Sequence, residues 1–312
     1  MLFTSGDSHN QSRVKNVTEQ PSTPQTGQPT PEPSKSEQDR FKFEIVYLVP
    51  ILVSILFGLG CAYLLLPQQS EAIPVTPIPE TTPGAPLGNA LYFVVLIAIS
   101  ATIFYLLIKR RSKRIIKGLI VVALTTASLL LSLVYLSALF TYFPSVDFLV
   151  IPLSILVTVL FDLAIFRFGS IARNAAVIGI GGALGIFFGY SIPLWSAVLI
   201  LAFLAVYDVF AVYRGPVGRI AASGLDQLQG LSFSFKDIQM GLGDLVFYSM
   251  LTGSMFFSFT PSILPCIASI VGIMAGSILT FFMLERKGIF PGLPFPIMLG
   301  LAAGLLTGFF LV

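Results

Sequence analysis

Two aspartates stand where nearly everything around them is apolar. Asp208 lies in the run Leu201 to Tyr213, six residues before Arg214, and Asp244 lies in Gly241-Leu242-Gly243-Asp244-Leu245-Val246-Phe247-Tyr248-Ser249. An ionisable side chain at the centre of a membrane helix costs roughly 2.5–3.5 kcal/mol on insertion scales, so such groups face an interior or a water-filled cavity. Two carboxylates brought together in low dielectric cannot both ionise cheaply and tend to share one proton. The ionised member then acts as general base on a water while the protonated member polarises a carbonyl, which is the logic of aspartic proteases. The residues alone leave three uses open: a hydrolytic dyad, a proton or cation relay, and a buried polar seam between helices.

Other chemistry has little to draw on. The single histidine, His9, lies in a polar tail, which excludes histidine-based catalysis and zinc chemistry; no metal spacing and no cofactor motif is present. Cys61 and Cys266 sit inside apolar runs, where a thiol behaves as a small hydrophobe. Asp147 and Asp162 fall near the two ends of one apolar run, and Asp162 is close to Arg167, so both read as interfacial. Around the pair, Gly241 and Gly243 permit conformations or close approaches that a Cβ would block. Asp244, Tyr248 and Thr252 recur at i, i+4 and i+8, which makes one helix face polar and suited to line a hydrated cleft.

The elements that must position these acids are membrane helices. Of 312 residues, 55% are hydrophobic and only 11% charged, with a mean hydropathy of +0.89. A soluble domain carries about 25% charge, so this chain cannot build a water-facing surface. Residues 1–44 hold eleven of the 33 charged side chains and are rich in Ser, Thr, Gln and Pro. Too few large apolar groups are present there to offset ordering entropy, and a disordered cytoplasmic tail is expected. The fold class expected for residues 45–312 is an all-α membrane domain of nine transmembrane helices, at 45–66, 88–108, 118–142, 146–166, 174–190, 192–213, 241–260, 263–284 and 291–312.

Orientation follows from the basic residues. With the N-terminus inside, the tail, the cluster Lys109 to Lys117, the pair Arg167 and Arg173, the group Arg214, Arg219 and Lys236, and the pair Arg286 and Lys287 all fall on the cytoplasmic side. They account for all eighteen Lys and Arg residues, and the outside segments, including the Pro-rich loop 67–87, contain none. The C-terminus is then outside. The net charge of +3 gives no reason to expect nucleic acid. Glycine recurs every fourth residue at Gly181, Gly185 and Gly189 and again at Gly300, Gly304 and Gly308. Such ridges let helix backbones approach closely, within one chain or across a dimer.

At these residues the sequence resembles the presenilin and signal peptide peptidase family, intramembrane aspartyl proteases of the GxGD type. Tyr207-Asp208 and Gly241-Leu242-Gly243-Asp244 look like its two aspartate signatures, and Gly215-Pro216 follows the first aspartate as a Gly-Pro pair does there. Pro291-Gly292-Leu293-Pro294 occupies the place of the family's Pro-Ala-Leu motif, with Gly for Ala. The resemblance implies that Asp208 and Asp244 form the catalytic pair and that Pro291 to Pro294 helps bind substrate. It implies hydrolysis of peptide bonds within transmembrane segments, with membrane-spanning proteins or peptides as substrates in a lipid bilayer. The cytoplasmic N-terminus resembles presenilins rather than the inverted signal peptide peptidases. The short segment 214–240 is most similar to an archaeal presenilin homologue, with no obligate partner subunit evident.

A substrate helix hides its amides in its own hydrogen bonds and must be unwound before attack; an exposed strand edge is one means of holding it extended. Prolines in 291–294 bar a regular helix there and leave carbonyls free to accept, and 221–240 is a candidate gate or pairing strand. Two other functions compete: a proton- or cation-coupled transporter, whose sites favour the bilayer midplane, and a prepilin-type peptidase, which cuts near the membrane face. The expected location is a multi-pass protein of the cell membrane.

Overall fold

In lipid every backbone polar group must be paired within the protein, so long apolar runs have one local solution, the helix. The computed structural model describes residues 2–5, 43–71, 75–110, 113–213, 232–235 and 238–310. Among them nine α-helices form: α1 (Val49–Leu65), α2 (Ala85–Lys109), α3 (Lys113–Phe140), α4 (Val150–Phe166), α5 (Ser170–Ser191), α6 (Leu194–Tyr213), α7 (Leu242–Ser258), α8 (Leu264–Lys287) and α9 (Pro294–Phe310). Short 3-10 turns at Ile45–Leu48, Leu66–Glu71 and Pro144–Leu149 flank α1 and precede α4. Prolines open the first turns of α1, α2 and α8, where the missing N–H is no loss. Gly84 before α2 and Gly288 after α8 adopt φ of 81° and 74°, a region that a Cβ disfavours.

Seven of these helices, counting the 3-10 turns that extend α1 and α4, are long and apolar enough to cross a membrane; the exceptions, α7 and α9, have 17 described residues each and no such extension. At 1.5 Å per residue 17 residues span about 25 Å. Several ends differ from the sequence expectation. α3 begins at Lys113 and α5 at Ser170, five and four residues earlier than their apolar runs. Backbone hydrogen bonding continues a helix through polar interfacial residues, to which a hydropathy boundary is blind.

The expectation of an all-α chain needs a correction. Four short strands, β1 (Leu2–Ser5), β2 (Ser232–Phe235), β3 (Ile238–Gly241) and β4 (Ile289–Pro291), form one sheet in the order β2-β3-β1-β4. All their pairings are antiparallel. β3 runs directly into α7, and β4 is separated from α9 by two residues, so the two short helices emerge from the sheet. Leu2–Ser5 belongs to the stretch expected to be disordered; residues 1 and 6–42 of that stretch, and residues 221–231, 236 and 237 of the candidate gate, lie outside the described residues.

α7 is the axis of the packing, with α1, α5, α6, α8 and α9 against it. Both glycine ridges serve contacts within the chain. A methyl group on Gly189 would stand 2.6 Å from the Ser254 nitrogen, and one on Gly181 2.8 Å from Leu245 Cβ. On α9, Gly300 and Gly304 similarly meet Leu251 and Met255 of α7, while Gly276 of α8 fits against Phe295. Away from this core, Asn89 of α2 holds the loop before it, accepting from the Ile78 N–H at 3.0 Å and donating to its carbonyl at 2.9 Å. The Phe43 N–H donates to Glu285 at 3.2 Å, which places the entry to α1 beside the end of α8.

Candidate active site

On α6 the residues Ala197, Leu201, Leu204, Asp208 and Ala211 repeat at three- and four-residue spacing and are all buried, so Asp208 lies on the inward stripe. Its exposure is 2%, whereas Val206 and Phe210 face outward at 54% and 56%. Tyr207 is half-buried. Asp244 occupies the first turn of α7 and is 0% exposed. A helix start carries the positive end of the backbone dipole, a favourable place for an acidic group.

The route to Asp244 runs through the segment offered as a pairing strand. The chain enters as β3, at about 3.3 Å per residue, and turns into helix at Leu242, one residue from the expected start. Gly241 has φ −74° and ψ 142°, open to any residue, so backbone freedom is not the reason for a glycine there. Gly243 is half-buried in the first turn and Leu242 is buried.

Pro291, Gly292 and Leu293 are buried, and Pro294 is half-buried. The Leu293 N–H donates to Asp208 Oδ2 at 3.1 Å, and the Tyr248 hydroxyl donates to the Gly292 carbonyl at 2.8 Å. Phe290 stacks on Phe295 with ring centres 5.6 Å apart, closing the loop on itself. Thus the proline motif meets both aspartate-bearing helices at once. Both oxygens of Asp244 are buried with no side-chain partner among the described residues, and only the backbone of Gly241 approaches the carboxylate. Buried polar atoms are well paired in the great majority of cases, and a catalytic role is one of the few explanations for an exception.

The polar face of α7 is a buried seam rather than an open cleft. Tyr248 and Thr252 are fully buried, and Thr252 donates to the Tyr248 carbonyl of its own helix at 3.0 Å. Five surrounding helices leave that face no access to solvent. Asp162 accepts from Thr125 at 2.7 Å, a link between α3 and α4 remote from the pair in the fold. Asp147 lies in the 3-10 turn before α4. Cys61 and Cys266 are free thiols, half-buried and buried. Sequence reasoning set Tyr248 on the right face but missed its partner, because a contact with a carbonyl 44 residues away leaves no local pattern. It missed β1 as well: four residues are too few for periodicity to tell a strand from a loop.

The sequence model of the family described as signal-peptide peptidase, presenilin aspartyl protease matches residues 53–217, which include Asp208 and stop before Gly241. A search of curated proteins found no match. Two crystal forms of a presenilin family intramembrane aspartate protease share the fold. The C222 form has 20% identity and a TM-score of 0.60 over 85% of this chain and 99% of that one. The P2 form has 22% identity and a TM-score of 0.61 over 85% and 98%.

Proposed function

The chain belongs to the signal-peptide peptidase and presenilin aspartyl protease family, and from that premise we propose that Asp208 and Asp244 hydrolyse peptide bonds within transmembrane segments of other proteins. One carboxylate takes a proton from water as its oxygen attacks the scissile carbonyl carbon, and the other gives its proton to the carbonyl oxygen. Collapse of the resulting diol expels the amine, which leaves with a proton returned by the pair. The observation that carries this reading is Asp244, buried at the head of α7 with no side chain partnering its carboxylate among the described residues, on a helix packed against the one that bears Asp208.

A substrate must present an extended backbone to this pair, and the sheet offers the place. β1 pairs with β3 through Thr4 and Gln239 and with β4 through Leu2 and Pro291. The slot between the strands leading to Asp244 and to Pro291–Pro294 therefore accepts an added strand on both sides. A substrate strand takes the same slot and has to displace β1. Gly292 and Leu293 then lie at its edge, with Tyr207, Gly241, Leu242 and Gly243 shaping the surroundings of the acids.

The chain crosses the bilayer nine times, with its N-terminus and the sheet on the cytoplasmic side. The confinement of every Lys and Arg to alternate segments supports this, as does the bond between Phe43 and Glu285 at the expected inner ends of α1 and α8. Family membership weighs against the transporter and prepilin-peptidase readings. The test is purified protein in proteoliposomes with a single-span peptide. Wild type cleaves it within the apolar stretch, a transition-state-mimicking inhibitor of aspartic proteases blocks cleavage, and Asp208→Asn or Asp244→Asn abolishes it. Normal turnover by either variant removes the dyad.

A further inference from the structure

A single peptide unit ties together the helices that carry the two acids. Its carbonyl, from Gly292, accepts the Tyr248 hydroxyl at 2.8 Å; its N–H, from Leu293, donates to Asp208 Oδ2 at 3.1 Å. A peptide bond is planar, so turning one end turns the other. Tyr248 follows Asp244 by one helical turn and shares its face of α7. A chain of bonds thus runs from the Asp244 helix, through one peptide plane, to the Asp208 carboxylate.

The loop around that plane is stiff on both sides and loose in the middle. Pro291 has its φ fixed by its ring, and Leu293, as the residue before Pro294, is restricted to extended conformations. Gly292 between them has no Cβ and permits the plane to turn. The Tyr248 hydroxyl removes that freedom. Donation to the carbonyl also polarises the same amide, strengthening its N–H as a donor to Asp208.

We infer that Tyr248 is a positioning residue for the aspartate pair, acting through the Gly292–Leu293 peptide to fix the orientation of the Asp208 carboxylate. The inference rests on the proteolytic reading above. It differs from a packing role, in which the buried ring alone matters: Tyr248→Phe keeps the ring and loses only the hydroxyl.

The test uses the full chain in proteoliposomes with a single-span peptide. Tyr248→Phe is expected to lower kcat about ten- to a hundredfold, since small misplacement of a reacting group has effects of that order. KM is expected to stay within twofold, and the inhibitor that mimics the transition state to lose affinity by the same factor as kcat. A kcat within twofold of wild type, or a raised KM with kcat unchanged, overturns the inference while leaving the dyad standing. Wild type that fails to cleave sinks the dyad reading instead, and a second measurement then decides the inference by itself. With 15N-labelled leucine, the Leu293 amide proton resonance is expected to move upfield in Tyr248→Phe as its bond to Asp208 weakens; an unmoved resonance overturns the inference whatever the cleavage assay gives.

Discussion

The helices α5, α7, α8 and α9 and the helices α2 and α4 are built from similar apolar residues and do opposite things with them. Along α7 nearly every side chain is buried, glycine brings its neighbours' backbones close, and polar groups such as Tyr248, Thr252 and, on α8, Ser277 are buried with partners nearby. Along α2, Leu91, Val95, Ile99 and Leu106 are each about half exposed to the surroundings. Hydropathy separates these regions only by degree, since all are apolar. Small residues and buried polar ones do, because lipid contact rewards bulk and helix contact rewards close approach.

The comparison can be broken most severely at the acids. Asp208→Asn and Asp244→Asn should each lower cleavage of a reconstituted peptide by about a hundredfold or more, the scale of lost acid–base catalysis, while leaving the fold intact by circular dichroism. Next comes packing. Gly189→Leu on α5 forces a side chain against the backbone of α7 and should destabilise by at least about 1–3 kcal/mol, read as a lower unfolding temperature in detergent. Gly118→Leu on α3, where an added Cβ meets nothing within 4 Å, should not. A fall of equal size at Gly118 would erase the distinction between the two regions.

Smaller effects sharpen it. Deleting residues 2–5 empties the slot between β3 and β4, and if that slot is filled nine-tenths of the time apparent KM should fall about tenfold. An unchanged KM would show that β1 and substrate do not compete. Leu293→Ala should reduce turnover only a few fold and unequally among peptides, because the N–H that meets Asp208 is backbone while the side chain belongs to the motif proposed to bind substrate; a few-fold change is about 1 kcal/mol. Ile99→Ala, 52% exposed on α2, should shift stability by no more than about 0.5 kcal/mol.

Much of this was legible in the sequence because bilayers simplify it. Each apolar run became a helix, and Asp208 and Asp244 stood out because an acid among leucines and valines needs a reason. The Gly-x-x-x-Gly spacing on α5 and α9 announced close contacts, and the structure supplies the partner, α7. What stayed hidden was non-local. Nothing in Leu2–Ser5 distinguishes a strand from a loop until β3 and β4 are beside it. The segment 221–240 could be read as a candidate pairing strand, but the partners of β2 and β3 could not, because their register depends on chain far away in sequence. The tie between Tyr248 and Gly292 depends on α7 and α9 meeting at one angle, which no spacing encodes.

α9 also gives the surrounding lipid a hold on the site. Met298, Leu299, Leu306 and Phe309 face outward from the helix that follows directly on the proline motif, while Gly300 and Gly304 of the same helix lie against α7. A bilayer whose thickness does not match an apolar wall tilts it or deforms around it. Acyl-chain length is therefore expected to reach the Leu293 amide through the tilt of α9, and turnover in proteoliposomes of graded chain length reads that coupling.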